Sequence, residues 1–228
     1  MSSRREYVPF DPFFFEKQKL GGKTYSTRDV FSEIHRSKHW NCNDSVSGEG
    51  ASSEQTAALE KELPELLERF GIEVLLDLPC GDYSWMKALD LPVEQYIGAD
   101  IVPEIIDRNQ KQFGQGRCRF LTLDLTRDSL PAADLLLCRD CLVHLSLSDI
   151  QAALANIKNS SITYLLATTF PDCQDNEDIV TGDWRLLNLN KAPFCFPEPV
   201  AAIVERCTEG EGRYQDKSLG LWRIQDLK

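Results

Sequence analysis

The sequence predicts an α/β protein: a seven-stranded, mostly parallel sheet with helices on both faces, closed by an antiparallel C-terminal hairpin. Three observations predict it. Short apolar runs at 74–78, 96–99, 119–123, 133–138 and 164–169 alternate with amphipathic stretches, and strands alternating with helices build parallel sheets covered on both sides. Four of those runs end on, or are closely followed by, an aspartate: Asp77, Asp100, Asp124 and Asp140. The tail then changes character. Runs 201–207 and 219–224 flank the polar turn TEGEGRYQDKS, which reads as a hairpin.

Taken in order, residues 1–25 place Phe10, Phe13, Phe14 and Phe15 between prolines and a Gly21-Gly22 break, an arm more than a domain. STRDVFSEIHRSK has helix-start chemistry at Ser26, with Val30, Phe31 and Ile34 on one side. The polar loop HWNCNDSVSGEGASS surrounds Trp40, and a large aromatic is seldom spent on a flexible spacer. Residues 1–51 are therefore read as an arm and lid over a domain spanning 52–228. Ser52 or Ser53 can cap the next helix, with Gln55 completing a capping box. Leu59, Leu63, Leu66, Leu67 and Phe70 form one apolar stripe, which Pro64 is expected to bend or split. Gly71 closes that helix. PEIIDRNQKQF and LSDIQAALANIKN supply two later helices.

Composition narrows the function classes. The chain has 228 residues, 42% hydrophobic and 27% charged, as ordinary globular proteins do. Its net charge of -11, with no basic run longer than Arg4-Arg5, disfavours nucleic acid and anionic membranes as partners. No apolar run is long enough to span a bilayer, and the opening residues lack the apolar core of a secretory signal, so a cytoplasmic location is expected. The eight cysteines are scattered, Cys138 and Cys141 coming closest to paired spacing. Cys138 ends an apolar run, where small buried thiols are common, so reduced structural thiols are expected rather than zinc ligands.

The four acids fall at the C-terminal edge of consecutive strands, the edge where open α/β sheets bind ligands. A GxGxxG dinucleotide fingerprint is missing from PCGDYSW, and so is a P-loop. A site rich in carboxylates and poor in phosphate cradles suits a ligand with hydroxyls, an ammonium group and positive charge. Asp100 is placed to accept from a ribose diol, Asp124 from an adenine amino group, and Asp77 from an ammonium directly or through water.

LLDLPCGDYSWM, YIGADIV, FLTLDLT and LLLCRDCLVHLS together resemble the motifs of class I S-adenosylmethionine-dependent methyltransferases, over about residues 52–228. The resemblance implies a Rossmann-like fold and S-adenosylmethionine as cofactor, with S-adenosylhomocysteine as product. It implies that Asp77, Pro79, Cys80 and Gly81 hold the methionine portion, Asp100 the ribose, and Ile101, Asp124 and Leu125 the adenine. Arg139 falls in the motif lining the methyl-donor side. An N-terminal segment covering the cofactor is also similar to the family, which makes Trp40, Ser47 and Gly48 a candidate wall. The first motif departs from the usual GxGxG: Pro79 and Asp82 stand where the family has glycines, and PCG variants resemble a bacterial subgroup.

Methyl transfer is an in-line displacement for which the protein mainly positions two reactants, and a hydroxyl or protonated amine acceptor needs a base. Asp140 and His144, four apart, are the candidate catalytic pair, with a structural or cofactor-lining role the alternative for His144; His35 and His39 are weaker candidates. The long segment 170–200 carries four prolines and follows the fifth strand, so it would overhang the same edge. Its Asn176, Asp178, Trp184, Arg185, Asn188 and Phe194 are candidate acceptor walls. Asp140, Asp172 and Asn176 have oxygens suited to Mg²⁺, but nothing fixes their geometry and no metal is expected. The expected substrate is a small polar molecule methylated on O or N. The alternatives are a protein or glycan end, or a non-catalytic cofactor-binding or partner-binding domain.

Overall fold

The computed structural model describes residues 10–40 and 48–227. Its strands are β1 (Val74–Asp77), β2 (Gln95–Asp100), β3 (Cys118–Thr122), β4 (Leu135–Cys138), β5 (Tyr164–Thr169), β6 (Ala201–Val204) and β7 (Ser218–Arg223). They form one sheet in the order β3-β2-β1-β4-β5-β7-β6. The first five are parallel, and β7 runs antiparallel between β5 and β6. Strand order reverses direction between β1 and β4, the topological switch point at which such sheets open a crevice.

Helices cover both faces. Successive residues of a strand point to opposite sides, so Leu76, Leu136 and Leu165 pack with Ile150, Ala153 and Ile157 of α5 (Leu147–Lys158). Leu75, Leu135 and Leu166 pack with Leu59, Leu63 and Leu67 of α3 (Ser53–Arg69) and Ile106 of α4 (Pro103–Phe113). Helix α3 runs unbroken through Pro64. Leu59, Leu63, Leu66 and Leu67 are all buried; at about 1.5–3 kcal/mol each, their burial together exceeds the roughly 3 kcal/mol that an interior proline costs. The expected capping box is also absent: Ser52 makes no side-chain cap. Gln55 instead reaches Thr208, donating to its hydroxyl at 2.7 Å and accepting from its backbone N–H at 3.2 Å.

The arm contributes α1 (Phe14–Leu20) and α2 (Thr27–Ser37). Ser26 and Asp29 form a reciprocal capping box at the start of α2. Phe15, Val30 and Ile34 make a small separate core with Phe31, Trp40 and Val180. The buried Asp183 carboxylate accepts from the Phe15 and Glu16 backbone N–H groups at 2.8 and 3.1 Å, holding negative charge at the start of α1. Gly182, at φ +104°, lets this dock close: a Cβ there would stand 2.5 Å from both Phe15 and Val30. The segment between β5 and β6 thus anchors the arm.

Candidate cofactor and acceptor cleft

A cleft opens along the C-terminal ends of β1 to β4, with an empty volume of about 1050 Å³ including its mouth. Strand ends build its floor. After β1 the chain turns through Leu78–Tyr83, tied to β2 by the Cys80 N–H donating to the Ala99 carbonyl at 2.7 Å. Gly81 takes φ +52°, and its N–H donates to Asp100 Oδ2 at 3.2 Å while Asn109 donates to its carbonyl at 2.8 Å. Asp100 Oδ1 also accepts from the Val102 N–H at 3.0 Å. Asp77 is 3% exposed and accepts from the Tyr96 hydroxyl at 2.5 Å.

Burial raises both of these carboxyls. Asp77 is pushed up to about 7, with Tyr96 and Arg139 pulling the other way. Asp100 is pushed up to about 6 against the opposing backbone N–H donors of Val102, Gly81 and Ile101. Each would ionise more readily beside a cation or further hydrogen-bond donors. Asp124 is differently placed. Its carboxylate accepts from the Thr126 N–H (2.9 Å) and hydroxyl (2.6 Å) and meets Arg127 Nε at 2.8 Å, so its own loop already occupies it. Ile101, Leu125 and Thr126 supply cleft wall beside it.

Beyond β4 the chemistry changes again. Arg139 is buried and donates to Glu205 (Nη2 to Oε2, 2.6 Å) and to the Gly50 carbonyl (2.7 Å), its guanidinium 5.5 Å from the Trp85 ring centre. Asp140 sits at φ +50°, in the left-handed region non-glycine residues seldom adopt, its N–H donating to Thr168. Its carboxylate receives Lys217 Nζ at 2.7 Å. Burial raises Asp140, but Lys217 and Arg139 outweigh it and hold the carboxyl down at about 2. Lys217 also reaches Glu205 at 3.5 Å. Sequence reasoning missed Lys217 and Glu205. Glu205 carried a readable signal, an acid inside the apolar run AAIVERC, whereas Lys217 lies in a polar turn with none.

His144 is buried, and its Nδ1 lies 3.0 Å from the Asp183 carbonyl. A carbonyl only accepts, so Nδ1 carries the proton and Nε2 the lone pair. Burial lowers the imidazole to about 4. Trp40 packs over its ring at 4.7 Å. Asp140 and Trp40 line the cleft, and His144 lies behind Trp40 rather than among the lining residues. Gly48 packs on Trp40, and Ser47 lies outside the described residues.

The six acceptor-wall residues read from segment 170–200 do not come to the cleft; the structure corrects that expectation. Arg185 donates to the Leu142 and Leu145 carbonyls at 2.8 and 2.9 Å, clamping the turn after β4. Asn176 and Asn188 bind the loop's own backbone, Asn176 at the Asn188 and Ala192 carbonyls and Asn188 at Pro171 and Cys173. Asp178 accepts from the Leu147 N–H at the start of α5. Trp184 and Phe194 are buried in the main core. Their polar atoms are consumed by ordering a long segment without helix or strand, which must satisfy its backbone somehow.

Among the described residues no cluster of His, Cys, Asp or Glu has metal-binding geometry. None of the described helices is long and apolar enough to cross a membrane. The seven described cysteines are unbridged.

Residues 75–160 match the family model described as a methyltransferase domain. Over that stretch the chain is similar to methyltransferase domains. Human N-acetylserotonin methyltransferase, solved with S-adenosylmethionine, superposes with a TM-score of 0.60 at 15% identity, covering 96% of this chain and 63% of that one. The N-methyltransferase NodS of Bradyrhizobium japonicum superposes at 0.52 and 15% identity, covering 72% of this chain and 95% of its own. At such identities the likeness is one of fold. The methyltransferase domain of bacterial CtHen1 aligns at a TM-score of 0.45 and 16% identity, covering 50% of this chain and 66% of that chain. The chain thus spans less than two thirds of the human enzyme and of that domain. By sequence, no curated protein matches it. The lining fits S-adenosylmethionine: two carboxyls whose pKa burial raises stand at the cleft, where a positively charged, hydroxyl-rich ligand would favour their ionised form.

Proposed function

We propose that the protein is a methyltransferase that uses S-adenosylmethionine to methylate a small molecule on oxygen or nitrogen, with residues 1–51 covering a catalytic domain over 52–228. The observation that carries this reading is the pair Asp77 and Asp100, buried at adjacent strand ends around one cleft and raised to about 7 and about 6. When bound, the cofactor supplies an electrophilic methyl group. The residues proposed to hold it are Asp77 and the Pro79-Cys80-Gly81 turn, Asp100, Ile101, Asp124 and Leu125. Arg139 orders the β4 end through Glu205 and Gly50, and Trp40 closes the cleft from the arm. The acidic chain, with unbridged thiols and no helix long and apolar enough to cross a membrane among the described residues, is proposed to work in the cytoplasm.

Calorimetry with S-adenosylhomocysteine tests the cofactor assignment. Asp100→Ala should weaken binding by about 1–3 kcal/mol, the cost of leaving hydrogen-bonding groups unpaired; unchanged affinity in a folded variant sinks the ribose role. His144 is proposed as the base, with its Nδ1–H fixed on Asp183 and Nε2 left as acceptor; Trp40, which covers its ring, must then move aside for an acceptor to reach it. His144→Ala should then cut turnover by about 10²–10⁴-fold while sparing cofactor affinity. A stable variant retaining turnover within about threefold removes His144 from the chemistry.

A further inference from the structure

The residue beside Asp77 in the β1–β2 register is Gly98, and Tyr96 lies beside Leu75. Tyr96 and Gly98 are two apart on β2, so they share the face of the sheet to which Asp77 points. Gly98 leaves its place on that face open: a Cβ there would stand 3.1 Å from Tyr96 Cε1 and 2.6 Å from the Phe120 ring. The Tyr96 ring fills the space. It is 1% exposed, with the Tyr83 and Phe120 rings at 5.0 and 6.0 Å. Its hydroxyl thereby crosses to the neighbouring strand and donates to Asp77 Oδ2 at 2.5 Å.

A phenylalanine would fill this aromatic cluster equally well. The hydroxyl adds a buried polar atom, which is costly unless paired, and its partner is Asp77. That bond occupies one carboxylate oxygen and leaves the other without a donor among the described residues. Asp77 itself lines the cleft, and Tyr96 stands behind it. The other ionisable groups facing Asp77 are Asp100 from β2, Cys138 and Arg139 from β4, and Cys80 and Tyr83 from the turn after β1. Arg139 favours the ionised form and Asp100 opposes it, but Arg139 is committed to Glu205 at 2.6 Å. Burial holds Cys80 and Tyr83 above their ordinary values, and a hydrogen bond with Cys141 together with burial does the same for Cys138, so all three stay neutral. Tyr96 is raised too, chiefly by burial, and therefore remains a donor. Of all these groups Tyr96 alone bonds the carboxylate.

We infer that Tyr96 is a positioning residue for the cofactor: its hydroxyl holds Asp77 ionised and aimed, so that the second carboxylate oxygen meets the ammonium end of S-adenosylmethionine. This rests on the methyltransferase reading and deepens it, by giving a residue outside the cleft lining control over cofactor affinity. A hydrogen bond donated to a carboxylate favours its charged form. Burial pushes the other way and lifts Asp77 to about 7. With the two so balanced, losing the Tyr96 donor removes most of the carboxylate that a cation could meet near neutral pH.

The test is the affinity of the full chain for S-adenosylhomocysteine, measured by calorimetry from about pH 5.5 to about pH 8. On the parent it should rise about tenfold across that range, with its midpoint near 7, where Asp77 ionises. Tyr96→Phe keeps the ring and removes the hydroxyl. Its midpoint should move up by about 1–2 pH units, the worth of a hydrogen bond to a charged group. Tyr83→Phe removes a hydroxyl from the same cluster, one that lies 3.7 Å from Cys118 Sγ, and should keep the parent's midpoint. Asp77→Asn should lose the rise near 7 and keep that of Asp100 near 6. A parent whose affinity is flat through pH 7 overturns the inference without any variant, and so does an Asp77→Asn protein that retains the rise. A Tyr96→Phe protein that keeps the parent's midpoint, or that no longer folds, equally overturns it, because the hydroxyl then serves the fold alone. Failure of the parent to bind S-adenosylhomocysteine at any pH is a distinct result, since it removes the methyltransferase reading beneath.

Discussion

The Arg139–Asp140–Glu205–Lys217 cluster and the Asp77–Asp100 pair lie side by side along one sheet edge, and both are built from buried acids. In the cluster every charge already has a partner. Asp140 meets Lys217, Glu205 meets Arg139, and Asp140 is held down at about 2. In the pair no cation among the described residues is bonded to either acid, only neutral donors such as Tyr96 and backbone N–H groups, and burial raises the carboxyls to about 7 and about 6. Identical side chains along one sheet edge therefore differ in whether a cation meets them. One network is complete and holds the β4 end in place. The other opens onto the cleft.

The largest expected effect lies in the completed network. Lys217→Met removes the cation between Asp140 and Glu205, leaving buried negative charge in excess. It should lower stability by about 3–5 kcal/mol in urea denaturation, the usual cost of breaking one side of a buried ion pair. A loss below about 1 kcal/mol, the range of exposed pairs, would erase the distinction between the two networks.

Asp77→Asn probes the open pair and should behave in the opposite sense. Asn keeps an acceptor for the Tyr96 hydroxyl while removing a charge that burial opposes. Ligand-free stability near pH 8 should hold or rise. Affinity for S-adenosylmethionine should fall by about 1.5–3 kcal/mol, the range for hydrogen bonds to charged groups. Lost stability with intact affinity would place Asp77 among the structural acids.

The smallest effects are those of pH, and their signs differ between the networks. Asp77 and Asp100 bind protons more tightly folded than at their ordinary value of 3.8. Their contribution to ligand-free stability is thus full below about pH 4 and is lost as pH rises through about 6 to 7. Asp140 runs the other way: its contribution is present above about pH 4 and is lost as pH falls through about 2. A cationic ligand favours the ionised carboxyls, so S-adenosylmethionine binding near pH 6 should release protons, measurable by calorimetry in buffers of different ionisation enthalpy. Proton uptake would reverse the assignment.

Much of the fold was legible because it is written locally. Strand-length apolar runs placed β1 to β5 within two residues, and β5 at its observed bounds. The capping chemistry of Ser26 marked α2. The strand-end acids were legible for the same reason, since a carboxylate at the end of an apolar run stands out in the chain. Segment 170–200 was not. Its polar and aromatic residues look the same whether they face a ligand or satisfy a loop's backbone, and Arg185 clamping the Leu142 and Leu145 carbonyls is settled only by where the chain passes.

By itself the sequence determined a parallel α/β sheet, the edge at which its cleft opens and the acids standing there, because periodicity and strand ends are properties of neighbours in the chain. Which acids are already neutralised was decided by tertiary structure alone. Lys217 is 77 residues from Asp140, and Glu205 is 66 from Arg139; only the antiparallel return of β6 and β7 beside β5 brings them to the end of β4. Burial, which moves Asp77 up and His144 down, belongs likewise to the packed molecule. The energy of a buried charge depends on what surrounds it in space, and sequence separation carries no record of that.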